Sequence, residues 1–230
     1  MFFDPLYLLF ALPGLLLGLL ASAVTRSTFA RYAKVRASSG LTGAEAAARM
    51  LAGAGVRGVT IEPTQGFLSD HYDPRSHTLR LSPDVYSSNS LSAMGVACHE
   101  AGHALQHAEE YAPLTLRSAL VPATQFGSKF SYILFVLGFI FRLQPLIYLG
   151  ILLFTVAVVF TLVTLPVEWD ASARAKRAMV AAGVVSPAEQ SQAGAVLNAA
   201  FLTYVASAVS AILTLLYYLM RAGVLGGRRS

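Results

Sequence analysis

The chain has 230 residues, of which 55% are hydrophobic and 13% charged, with a formal net charge of +5 and a mean hydropathy of +0.58. A soluble domain carries nearer about a quarter charged residues, so this balance excludes an ordinary soluble protein and implies membrane residence. The basic residues lie mostly beside apolar segments, without interleaved aromatics, which points to the anionic headgroups of a lipid bilayer and away from nucleic acid.

Residues 1–24 read as a first transmembrane helix. The run from 3 to 24 is broken only by Asp4, Pro5, Pro13 and glycines, and is long enough to span a bilayer. A cleaved signal peptide is the competing reading, with Ala21-Ser22-Ala23 as its small-residue site. Against it, Met1-Phe2-Phe3-Asp4 has no positive charge, and Arg26, Arg31, Lys34 and Arg36 follow the run. Gly14 and Gly18 offer a Gly-x-x-x-Gly face for close helix packing.

Residues 25–118 are the most polar stretch and are expected to form a small α+β unit. Thr42 and Glu45 make a capping box for a helix reaching about Gly53. Val59-Thr60-Ile61 and Thr78-Leu79-Arg80-Leu81 read as strands, the second after a turn at Asp73-Pro74-Arg75. Ser90 then caps a helix of about twenty residues, which carries His99-Glu100-Ala101-Gly102-His103. Positions i and i+4 share a helix face, so His99 and His103 can hold one zinc ion together. Glu100 sits beside the first ligand, where it can take a proton from the water that the metal activates and pass it to a leaving amine. This helix also contains Glu109, Glu110 and a third histidine, so it does not cross lipid and the site lies beside the membrane. Cys98, the single cysteine, permits no intrachain disulfide. It points about 100° around the helix from His99 and reads as a small buried side chain.

Residues 119–166 are expected to form a transmembrane hairpin, with 146–165 uninterrupted and 119–141 diluted by Gln125 and Lys129. Residues 167–196 read as a helical segment, and 197–230 as a last span, apolar over 198–220, with a basic tail made flexible by Gly223, Gly226 and Gly227. A third metal ligand just past residue 165 must lie on the same side of the membrane as His99. That requires an even number of crossings between them and makes four spans in all. Twelve Lys and Arg residues in 25–118 and 167–196 stand against Arg142, Arg221, Arg228 and Arg229 on the other side. The positive-inside rule then places the zinc domain in the cytoplasm.

The third-ligand candidate is Glu168, in Pro166-Val167-Glu168-Trp169-Asp170-Ala171-Ser172. Two histidines and a distant glutamate leave a fourth zinc position for water. Asp170 competes for the role, its plainer use being a pair with Arg174 one turn on. Three further stretches accompany this one: Asp70-His71-Tyr72-Asp73-Pro74, Leu79-Arg80-Leu81-Ser82, and the zinc motif extended from Cys98 through Ala104-Leu105-Gln106. In these, taken in order across nearly the whole chain, the sequence resembles the YugP-type family of bacterial membrane zinc metallopeptidases. The resemblance favours Glu168 and implies one catalytic zinc ion held by His99, His103 and Glu168. It implies a gluzincin-like endopeptidase with Glu100 as general base, acting on a peptide or protein substrate at the bacterial inner membrane. Similarity to the HtpX-type membrane peptidases is looser. They carry an acid four residues after the ligating glutamate, where this chain has Ser172, whose hydroxyl can hydrogen-bond a ligand but brings no charge.

Other polar residues near the motif have plainer and sharper readings. His107 falls on the His103 face, yet lies eight residues, about 12 Å, along the helix from His99. That distance excludes a shared tetrahedral ion, so His107 packs beside a ligand or supports one. His71 and His77 flank the turn of what is either an ordinary polar hairpin or the border of a cleft. In the second case His71 or Tyr72 would stabilise an oxyanion, and a free strand edge would bind substrate by strand addition. Arg174 either serves the oxyanion or pairs with Asp170 or with headgroups.

The expected architecture is mainly α: a polytopic membrane protein of about four helical spans with a small juxtamembrane α+β zinc domain. A non-catalytic membrane protein with a structural zinc site, acting as scaffold or regulator, is the alternative function, and it would have no need of Glu100. A transporter would place ionisable residues in several spans, and here only Lys129 qualifies. The sequence carries no signal of oligomeric state.

Overall fold

The computed structural model describes residues 4–66 and 69–225. In chain order the elements are α1 (Pro5–Tyr32), α2 (Gly43–Gly53), β1 (Thr60–Pro63), β2 (His71–Asp73), β3 (Thr78–Leu81), α3 (Pro83–Tyr86), α4 (Leu91–Ala108), α5 (Ala112–Ile140), α6 (Gln144–Ala181) and α7 (Pro187–Arg221). Helices α1, α5, α6 and α7 are long and apolar enough to cross a membrane. The protein is therefore mainly α-helical, with four membrane-spanning helices and a small mixed α/β region. Gln125 and Lys129 do not interrupt α5, which runs unbroken through the diluted stretch. Gly226 and Gly227 of the expected flexible tail lie outside the described residues.

Two compact units divide the chain: Met1–Ala21, Thr115–Pro166 and Thr203–Ser230 form one, Ser22–Leu114 and Val167–Leu202 the other. In the first, small residues let helices approach closely. A side chain at Gly150 would lie 2.8 Å from the Ser131 carbonyl, and one at Gly14 would meet Ser210 Oγ at 2.6 Å. Gly18 has open space instead, so only the first glycine of the Gly-x-x-x-Gly pair packs a neighbour. The α5–α6 hairpin closes with Arg142 in the left-handed region (φ 55) and Leu143 N–H donating to Gly138 O at 2.8 Å. Phe135 stacks on Tyr218 at 3.9 Å. Outward-facing leucines such as Leu16 and Leu152 are exposed, as side chains facing hydrocarbon must be.

The second unit carries the site. Its α2 begins with the expected capping box, Thr42 and Glu45 each bonding the other's backbone N–H. The sheet has the order β1-β3-β2, with β1 parallel and β2 antiparallel to β3. Strand β2 is the first arm of the hairpin that the sequence allowed about the Asp73-Pro74 turn, although no strand was read there by pattern. Three residues, His-Tyr-Asp, hold no alternation to read, and their pairing to β3 makes the strand. Met50, Leu79, Leu81, Leu91, Met94 and Met179 are fully buried in one core, each stabilising the fold by about 1.5–3 kcal/mol. Helix α6 passes through Pro166 and ends only at Ala181, before Gly183 with a φ of 64°. The following α7 opens at Pro187, and Ser186 Oγ caps it by accepting from Glu189 N–H at 3.3 Å. The expected helical segment 167–196 is thus the end of one long helix and the start of another.

Candidate active site

Helix α4 is capped by Ser90, whose Oγ accepts from Ala93 N–H at 3.2 Å. It lies close against α6 because Gly102 has no side chain: a Cβ there would come within 2.6 Å of the Ala171 carbonyl. Gly95 allows the same against α7, where a Cβ would stand 2.9 Å from Ala193 O. This approach brings the motif face of α4 to Glu168, which is 1% exposed. His99 Nε2 stands 3.1 Å and His103 Nε2 3.6 Å from Glu168 Oε2, and one ligand atom from each of the three lies within 4.8 Å of the others.

The donor set fits zinc. Tetrahedral coordination with bonds of about 2.0–2.2 Å separates ligand atoms by about 3.4 Å, between the two distances found here. A buried carboxylate also needs a cation beside it. Burial works against charging His103, yet the hydrogen bond and charge of Glu168, with Glu100 behind, overcome it and raise the imidazole pKa.

Each imidazole is also held from its far side. His99 Nδ1 meets Ser172 Oγ at 3.1 Å, and His103 Nδ1 meets Gln106 Oε1 at 2.9 Å. With both Nε2 atoms turned to the metal position, both Nδ1–H groups donate outward, which fixes the tautomers. Fully buried Gln106 donates its own N–H groups to Val167 O and Asp170 Oδ2, at 2.8 and 2.9 Å. Asp170 in turn pairs with Arg174, whose other arm pairs with Glu109. The guanidinium is thus taken up by carboxylates, over the ring of Tyr111. Gln106 stood in the sequence only as part of a motif. A polar residue one turn past the second histidine was the available signal.

Strand β2 packs against α4 at Glu100. Tyr72 N–H donates to Glu100 Oε2 at 3.1 Å, so the carboxylate beside the first ligand is fixed by the sheet edge. The Tyr72 hydroxyl reaches His107 Nδ1 at 2.9 Å, and the His77 ring packs edge-on against His107. Burial, then the charge of Asp73, raises the Tyr72 pKa, so the phenol stays a neutral donor. His71 turns its Nδ1 to the Ser69 carbonyl. Cys98 is buried, and burial pushes its thiol up to about 12, as suits packing and not ligation.

Comparison with known proteins agrees with this geometry. A family model described as "Putative neutral zinc metallopeptidase" matches residues 7–223. The "Putative membrane protease YugP" of Bacillus subtilis (strain 168) is 45% identical over 215 residues, covering 94% of this chain and 96% of that protein. No solved structure matches the chain. With the motif, its distant glutamate and the four spans in place, the chain belongs to the YugP-type family of bacterial membrane zinc metallopeptidases.

Proposed function

We propose that Glu100 is the general base of this peptidase and that its cleft opens on the cytoplasmic side of the membrane. Zinc, when bound by His99, His103 and Glu168, would supply a Lewis acid for the substrate carbonyl and acidify a water. Glu100 carries the proton: a carboxylate oxygen takes it from the attacking water and returns it to the leaving amine nitrogen. Tyr72 N–H orients that carboxylate, and the nearby Tyr72 hydroxyl, steadied by His107, is the donor available to a developing oxyanion. Strand β2 is an edge strand, but its outward Tyr72 N–H is taken by Glu100, so addition of an extended peptide there would rest on carbonyl acceptors alone. Ser172 and Gln106 keep the two imidazoles aimed while this happens.

The observation that carries the reading is Glu100 fixed by the strand beside three converging ligand atoms. A merely structural zinc site has no use for that carboxylate. Purified wild type and Glu100→Gln, each with zinc content measured, should both hold one equivalent of zinc. Cleavage of an unfolded protein by the variant should fall by about 10²–10⁴-fold. Equal cleavage by both would remove Glu100 from the role. Zinc in both with cleavage by neither would favour a scaffold or regulator.

A further inference from the structure

Trp169 is the only tryptophan in the chain and is 57% exposed, next to the buried ligand Glu168. Its ring meets Phe201 edge-on, with centroids 5.3 Å apart. Lys176 Nζ stands 5.6 Å from the indole centroid and donates to Asn198 Oδ1 at 3.1 Å. Lys176 lies two turns past Trp169, and helical side chains lean toward the N-terminus, so its ammonium returns to the level of the indole. On the neighbouring helix pair, Thr25 Oγ1 donates to Ala199 O at 2.9 Å.

Every one of these contacts falls where an apolar run stops. The run of α1 ends at 24, beside Thr25; that of α6 ends at 165, shortly before Trp169; that of α7 starts at 198 and contains Ala199 and Phe201. Three helices far apart in sequence thus bring the ends of their apolar runs to one level. An exposed indole, a phenyl ring, the exposed Leu202 and an ammonium mark it. Water is a poor solvent for such a patch. The headgroup region suits it, accepting the indole body and its N–H together and offering phosphates to the lysine.

We propose that Trp169, Phe201 and Lys176 seat in the headgroup layer of an anionic bilayer, so that the adjacent metal site cleaves polypeptide at that depth, namely the extended stretch flanking a transmembrane helix of a substrate protein. This substrate class rests on the peptidase reading above. Glu168 is one residue from Trp169, a rise of about 1.5 Å along the helix. The site therefore lies below the reach of folded soluble domains and above the hydrocarbon centre.

The single tryptophan makes the depth measurable without substitution. Full-length protein in phosphatidylcholine–phosphatidylglycerol vesicles would be tested with nitroxide lipids labelled at the headgroup or deep in the acyl chain. Headgroup label should quench Trp169 several-fold more strongly than deep label. Stronger quenching by the deep label, or none by either, would overturn the placement. In the same vesicles, one cleavable stretch would be set directly after the span of a single-span protein, or behind a long flexible spacer. Several-fold faster cleavage of the adjacent stretch is expected, and equal rates would overturn the substrate class. Headgroup quenching with no cleavage of either would overturn the peptidase reading and the substrate class with it, leaving the depth established.

Discussion

His103 depends on a side chain that no two-histidine metal motif specifies. Gln106 accepts from its Nδ1 and is itself oriented by Val167 O and Asp170, so one helical turn of α6 helps aim one imidazole. Gln106→Leu keeps the bulk and removes the acceptor, leaving Nδ1–H without its partner. Zinc affinity, followed by competition with a chromogenic chelator, should weaken about 10–100-fold. Ser172→Ala should move it in the same direction through His99. An unchanged affinity in both would mean that the ligands are positioned by packing alone. The residues were legible to different extents. His99, Glu100 and His103 could be read because their relation is local to one helix. Glu168 needed the family resemblance to separate it from Asp170, since both acids suit a ligand by type. Gln106 went unassigned, because its role exists only once α4 lies on α6.

At the scale of the element, α2 and α4 show two ways of fixing a helix. The start of α2 is fixed by charge: Thr42 N–H and Oγ1 both donate to Glu45 Oε2, at 2.8 and 2.9 Å. The backbone bond first, then the hydroxyl bond, hold the Glu45 pKa below the usual carboxylate value. A depressed folded-state pKa gives stability that is full above the ordinary value and lost as pH falls through the lowered one. Chemical denaturation across the acid range should therefore show a steeper loss for wild type than for Glu45→Gln, whose side chain does not titrate. Parallel curves would mean that the box contributes no charge-dependent stability. The seat of α4 is fixed by absence of bulk. In Gly102→Ala the new methyl group meets the Ala171 backbone carbonyl, which cannot turn aside as a flexible side chain would. A loss of about 1–3 kcal/mol, with weakened zinc binding, is expected in thermal and metal titrations. A neutral result would show that α4 can lift from α6 at no cost.

For the whole molecule, orientation in the membrane decides which proteins the site can meet. Twelve basic residues on the zinc-domain side against four on the other favour the cytoplasm. The single native cysteine is buried, with its thiol pushed up to about 12, so it gives little background to maleimide reagents, which need thiolate. Cysteines introduced at exposed Arg57 and at Arg142 should respond oppositely to an impermeant maleimide in intact cells: Arg142→Cys labelled, Arg57→Cys protected until the membrane is opened. The reverse pattern would place the cleft outside. Labelling of both from one side would break the four-span count.

The sequence by itself determined the membrane class, the four spans, the paired histidines and the capping box, because each rests on composition or on contacts within a few residues. Strand β2 was legible only as one arm of a possible hairpin, since three residues become a strand only by pairing with β3. The tertiary structure alone decided that α6 and α7 run well past their apolar stretches and that Gly14 packs while Gly18 does not. It also decided that Tyr72 holds Glu100 and Gln106 holds His103. These facts join residues tens of positions apart, or depend on which face of a helix finds a neighbour. Local pattern fixes the face, and only packing chooses what it meets.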